Sequence, residues 1–166
     1  MTATYEKIAT TTLGSSQASI DFTSISGSYT DLVIIGSIKT ATLTNPACYV
    51  RFNNDTGSNY SVTSLYGNGS SAGSTKFNSQ TFIRYNYVTD PNTTNFAPVI
   101  MNINNYSNAT TYKTALTKFG LASIGLDYTV GLWRSTSAIN RVTFTLESAT
   151  NFASGCIFTI YGIKAE

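Results

Sequence analysis

The sequence predicts an all-β fold, an antiparallel β-sandwich of jelly-roll or Greek-key type with about ten strands, formed as one domain over residues 1–166. Three observations carry this expectation. Short runs of alternating apolar and polar residues recur at intervals of roughly 8–14 residues, the rhythm of a sandwich rather than of a helical bundle. Between the runs lie Gly, Asn, Ser and Asp, the residues that tolerate turn geometry. Thr and Tyr, both strand formers, are abundant, whereas Glu, Lys, Gln and Ala are too scarce to build an amphipathic helix.

Each run supports a strand in turn. Residues 17–25 (QASIDFTSI) alternate, with Ala18, Ile20, Phe22 and Ser24 on one face. Residues 31–39 (DLVIIGSIK) are β-branched enough for a central strand buried on both sides. Residues 48–52 (CYVRF) run into Asn53-Asn-Asp55-Thr-Gly57, and residues 60–66 (YSVTSLY) into the loop Gly67–Gly73. Residues 77–89 (FNSQTFIRYNYVT) read as one strand with Ile83, Tyr85 and Tyr87 opposite Phe82, Arg84 and Asn86. Residues 97–106 place Val99, Met101 and Ile103 on one side. Residues 112–121 and 128–134 follow, and then 139–147 with Val142, Phe144 and Leu146 inward. The apolar ending 156–163 (CIFTIYGI) implies that the last strand pairs inside a sheet.

Composition removes several functional classes. The chain has 166 residues, 11% of them charged, a net charge of +2 and no histidine. Ser (20), Thr (27) and Asn (15) do the solvating instead. The ten Lys and Arg are scattered singly, so no basic patch is expected to release phosphate counterions and nucleic acid is not an expected partner. The longest apolar run is Leu32–Ile35, far short of the ~18 residues of a membrane helix, and the N-terminus does not read as a secretory signal. Cys48 and Cys156 each open an apolar run; they could pair across strands, and free buried thiols are the favoured reading.

Motifs that suggest chemistry fail on their physical requirements. Gly67-Asn-Gly69-Ser-Ser-Ala72 has the form of a dinucleotide fingerprint, but a strand follows it where a helix N-terminus must hold the pyrophosphate. Gly69-Ser-Ser71-Ala-Gly73 matches a serine nucleophile elbow in a chain that has no histidine to act as base. Asn53–Asn59 sets oxygen ligands around a glycine as calcium loops do, with one carboxylate in seven residues, and a plain turn is expected. The eight acidic residues form no motif pair for glycoside hydrolysis. Six N-x-[ST] sequons occur, at Asn54, Asn59, Asn68, Asn92, Asn105 and Asn108, where about four would arise by chance in so Asn- and Ser/Thr-rich a chain. No catalytic residue, cofactor or metal is therefore expected. The remaining candidates are aromatic rings beside amides and hydroxyls, which suit sugar faces and polar protein interfaces alike. These contact residues are Asn53, Asp55, Asn59, Tyr60, Tyr66, Asn68, Tyr106 and Trp133, with Tyr85, Tyr87 and Tyr112 as further rings, and Trp133 the one most suited to a core edge.

Four segments, RFNNDTGSNYSVTSLYGNGSS (51–71), NYSNATTYKTALTK (105–118), GLWRSTSAINRVTF (131–144) and NFASGCIFTIYGIKAE (151–166), resemble a family of small virion proteins of tailed bacteriophages of marine and freshwater bacteria, including cyanophages. The opening TYEKIATTTLGSSQASIDFTSISGSYTDLVI is similar too, so the resemblance spans nearly the whole chain. It implies a non-enzymatic structural protein in the virion, assembled in the host cytoplasm, as a head decoration, tail-fibre or baseplate component. The absence of heptads, a collagen repeat or another shaft segment favours decoration or a small tip subunit. The expected partners are other capsid or tail proteins and further copies of the chain. The alternative is a receptor- or carbohydrate-binding module that recognises host-surface glycans.

Overall fold

The computed structural model describes residues 4–42, 45–86 and 95–164. The described residues form an antiparallel β-sandwich of twelve strands: β1 (Tyr5–Thr12), β2 (Ser19–Phe22), β3 (Asp31–Ile38), β4 (Cys48–Phe52), β5 (Tyr60–Gly67), β6 (Ala72–Gln80), β7 (Ile83–Tyr85), β8 (Ala97–Asn104), β9 (Lys113–Leu121), β10 (Gly125–Trp133), β11 (Val142–Leu146) and β12 (Ile157–Ile163). Eight form one sheet in the order β1-β12-β3-β8-β9-β10-β5-β6, and four form the other in the order β2-β11-β4-β7. Strands β3, β4 and β5 pair with β12, β11 and β10 respectively, a nested set of antiparallel pairs in which the chain folds back along itself. That nesting is the jelly-roll pattern. The β8–β9 hairpin is inserted between β3 and β10 and widens the large sheet.

The inner faces of the two sheets make the core, because alternation delivers every second side chain to the same side. Leu32, Ile34 and Ile38 on β3, Val99, Met101 and Ile103 on β8, and Phe158 and Ile160 on β12 meet Ile20, Phe22, Val50, Phe52, Ile83, Val142, Phe144 and Leu146 from the small sheet. Phe144 and Phe158 close the gap between the sheets, with ring centroids 4.8 Å apart. Both cysteines are free and buried, and the Cys156 thiol donates to the Lys39 carbonyl at 3.2 Å.

Three expectations need correction. Tyr5–Thr12 is a strand that the alternation rule did not reveal: it is an edge strand with no fully buried position, so its pattern carries little apolar signal. The single strand expected over residues 77–89 is two strands in different sheets, β6 and β7. Ser79 takes a left-handed φ of 54° at that point, and the chain crosses over near Thr81 and Phe82. Strand β3 is not buried on both sides, since Ile35 points outward and stays 44% exposed although Val33 beside it is covered. Tyr87 lies outside the described residues.

Candidate functional site

Four of the predicted contact residues converge at one corner of the sandwich. Trp133 ends β10 on its inner side, paired across the sheet with Tyr60 of β5, and the two rings stack at 6.3 Å. Phe52 meets the Trp133 ring edge-on at 5.7 Å. The loop that follows β4 brings Asp55 over this cluster. Its carboxylate accepts from the Trp133 indole N–H at 2.6 Å, from the Asn59 side chain at 2.9 Å and from the Gly57 backbone N–H at 2.8 Å. Burial raises the Asp55 pKa, but these donors outweigh it and hold the carboxyl below its ordinary value. A carboxylate ringed by N–H groups has the wrong polarity around it for a cation, so the calcium-like spacing is a closed turn. Nearby, the Asn53 side-chain oxygen accepts from the backbone N–H groups of Asn140 and Arg141, while its amide donates to the Ala138 carbonyl at 2.8 Å. Asn53, Asp55 and Asn59 thus fasten loops.

Burial overturns the contact role for several rings. Tyr60 and Tyr106 are fully buried, Trp133 is 2% exposed and Tyr85 is fully buried, so none presents a face to a partner. The Tyr60 hydroxyl accepts from the Phe52 N–H at 3.0 Å, and burial pushes its pKa up to about 12. The Tyr106 hydroxyl donates to the Ser26 carbonyl. Tyr66 is half-buried with its ring over Gly73; a Cβ there would stand 2.7 Å from the phenolic oxygen, so only glycine allows this seat. Tyr112 is exposed at 56%.

Asn68 is exposed, yet its side-chain oxygen is committed to the β5–β6 hairpin, accepting from the Ser70 and Ser71 N–H groups at 3.0 and 2.8 Å. Asn108 does the same with the N–H groups of Thr110 and Thr111. These two sequons are Asx turns written as Asn-x-Ser-Ser and Asn-x-Thr-Thr, with the hydroxyls adding bonds to the same oxygen.

Sequence reasoning missed a buried polar row. Thr117, Thr129, Ser64 and Thr75 are cross-strand partners on the inner side of β9, β10, β5 and β6. Ser64 and Thr129 share a hydrogen bond of 2.8 Å, and Thr129 donates to Asp127 at 2.6 Å. Asp127, 1% exposed, also accepts from the Asn86 backbone and side-chain amides at 3.0 and 3.1 Å. The row ends in the Thr75 and Thr117 hydroxyls, which are buried without a hydrogen-bond partner. Strand alternation alone would have placed Asp127 and Thr129 inward, had residues 125–127 been read as strand. Among the described residues Lys113 is the other buried charge, its ammonium donating to the Thr111 and Thr136 carbonyls, and burial lowers its pKa.

Among the described residues, exposed apolar side chains gather on the outer side of the large sheet. Its central row runs Thr159–Ile35–Ile100–Lys118–Tyr128–Leu65–Ser74 across β12, β3, β8, β9, β10, β5 and β6. Ile35, Ile100, Tyr128 and Leu65 are exposed there, joined by Leu126, Val130 and Ile157 in the flanking rows. Beside the central row, a hollow of about 460 Å³ is lined by Gly67, Asn68, Gly120, Leu121, Gly125 and Leu126 among others. A second of about 190 Å³, between Pro98, Ile100, Lys118 and Phe119, shares Gly120 with it. Glycines keep it open: Gly120 points to this side, and a Cβ there would stand 3.1 Å from the Leu126 Cβ. Chemically this is a place to seat apolar side chains next to one cation.

The six described carboxylates outside this face each engage their own donors: Glu6 with Lys164, Asp21 with Arg141, Asp31 with Asn105, Asp55 with Trp133, Asp127 with Asn86 and Glu147 with Tyr49. No group of three metal-ligating side chains gathers among the described residues. No helix of the described residues is long and apolar enough to cross a membrane. No protein-family model matches the chain, and neither does any curated protein.

Proposed function

We propose that the chain is a non-enzymatic structural protein of a bacteriophage virion, displayed on the particle surface as a head decoration protein or a small tail or fibre-tip subunit. The observation that carries this reading is the outer face of the large sheet. Contiguous exposed apolar area beyond a few hundred Å² is rare on monomers that work alone and is ordinary where a protein seats against another. The rigid all-β scaffold, with its loops tied by Asn and Asp side chains, suits a role in which shape is held and no group needs to move. Phage assembly itself is what the sequence resemblance contributes. The alternative of a glycan-binding module draws less support, because Tyr60, Tyr106 and Trp133 have no exposed ring to lay against a sugar.

Mass spectrometry of purified particles, with copy number set against the major capsid protein, tests the proposal. Hundreds of copies on the shell establish decoration, and a few to a few dozen at the tail establish a tip subunit. Absence from particles would refute it.

A further inference from the structure

We propose that the outer face of the large sheet docks a different protein, one whose contact region is apolar with carboxylates near its centre, and that it does not dock a second copy of this chain. This surface presupposes the assembly role above and specifies the chemistry of the partner. The extent of the face is sufficient. Eight strands about 4.8 Å apart, crossed by three outward rows about 6.7 Å apart, span roughly 800 Å², which is about what each partner contributes to a standard protein interface.

Charge selects the occupant. The three outward rows carry Lys118 at the centre of the apolar patch and Lys7 and Lys76 on the two edge strands, with no acidic residue among them. Lys118 is exposed, its ammonium 6.0 Å from the Tyr128 ring centroid and next to the smaller hollow. A second copy laid face to face would set three lysines against three, and the outward carboxylate one row further on, Asp31 at the end of β3, is already held by the Asn105 N–H. A partner bearing carboxylates among apolar knobs would pair Lys118 and fill the two hollows that meet at Gly120. Large apolar anchors set in pockets, with a matched charge beside them, are how such interfaces obtain most of their affinity.

The test uses the full chain, labelled with ¹⁵N, and two six-residue peptides, one alternating Leu and Glu and the other alternating Leu and Lys. The Leu–Glu peptide is expected to shift amide signals of β8, β9, β10 and β5 and to bind at least tenfold more tightly than the Leu–Lys peptide, with Lys118→Glu reversing the preference. Sedimentation of the free chain is expected to show no self-association that Leu126→Asp removes. Equal affinity for the two peptides, no response in those strands, or a dimer abolished by Leu126→Asp would each overturn the proposal, the last by assigning the face to a second copy. Failure of the assembly role is distinguished separately, by absence of the unmodified chain from particles.

Discussion

The two sheets turn opposite kinds of surface to solvent. The small sheet is finished: Tyr49 stacks on Phe82 at 3.7 Å and donates to Glu147 at 2.7 Å, and Arg84 lies 3.6 Å from the same carboxylate. Arg51 sits over the Phe82 ring and donates to the Thr81 carbonyl, while Arg141 and Thr143 both hold Asp21. The large sheet offers Ile35, Ile100, Leu65, Leu126 and Val130 with only Lys118 among them. One face has its polar groups satisfied by its own neighbours, and the other has apolar area that no other described residue covers. Two sides of one sandwich, built by the same alternation rule, therefore differ in what they need from outside.

Substitutions can break or sharpen that contrast, and the largest effect belongs to neither outer face. Trp133→Ala empties the buried corner and strands the Asp55 carboxylate, so it is expected to cost about 3–5 kcal/mol, read by urea unfolding. Asp127→Ala, on the inner side of the same strand, leaves the Asn86 N–H groups without their acceptor, and a loss of about 1–3 kcal/mol is expected in the same assay. On the small face, Tyr49→Ala removes a ring stack and a bond to Glu147 and should cost about 1–2 kcal/mol.

Two carboxylates on that face add to the acid sensitivity that Asp55 at the buried corner and Glu6 on β1 also carry. The Tyr49 hydrogen bond, more than the Ala47 N–H and the Arg84 charge, lowers the Glu147 pKa, while burial opposes it. Burial raises Asp21, but hydrogen bonds from Thr143 and Arg141 outweigh it and the carboxyl titrates low. Groups with a depressed folded pKa stabilise the fold fully above their unfolded values, about pH 4–4.5, and that stabilisation is lost as pH falls through the folded values. The unfolding midpoint should therefore drop below about pH 4, and Glu147→Gln should flatten the drop. An unchanged profile in that variant would remove Glu147 from the account. The smallest stability effect is expected on the large face: Leu65→Asp or Leu126→Asp should change stability by no more than about 0.5 kcal/mol, because both side chains already stand in water.

Much of the fold was legible because alternation and turn chemistry are local. Cys48–Phe52 is a strand with the bounds its pattern predicts, and Val142, Phe144 and Leu146 all point inward. Tyr5–Thr12 was not legible, since an edge strand has too little burial to write a pattern. The break between Gln80 and Ile83 was hidden because both halves alternate in the same phase and only backbone geometry at Ser79 separates them. The site was less legible still. Trp133 as a core-edge ring follows from its place near a strand end, but Tyr60 and Tyr106 stand at strand ends beside polar turns, and nothing local shows that the fold covers them. The apolar face escaped notice because Leu65, Tyr128 and Ile100 come from strands that are distant in the chain and become neighbours only through cross-strand register.

The claim that the large sheet's outer face seats this protein in its assembly is tested most directly by a double variant, Leu65→Asp with Leu126→Asp, supplied in place of the natural chain during particle production. Copy number on purified particles is the measurement, with the unfolding midpoint as the control for folding. The account predicts a chain that folds as well as the parent and is missing from particles that otherwise carry it. Particles bearing the double variant at the parent's copy number would contradict it.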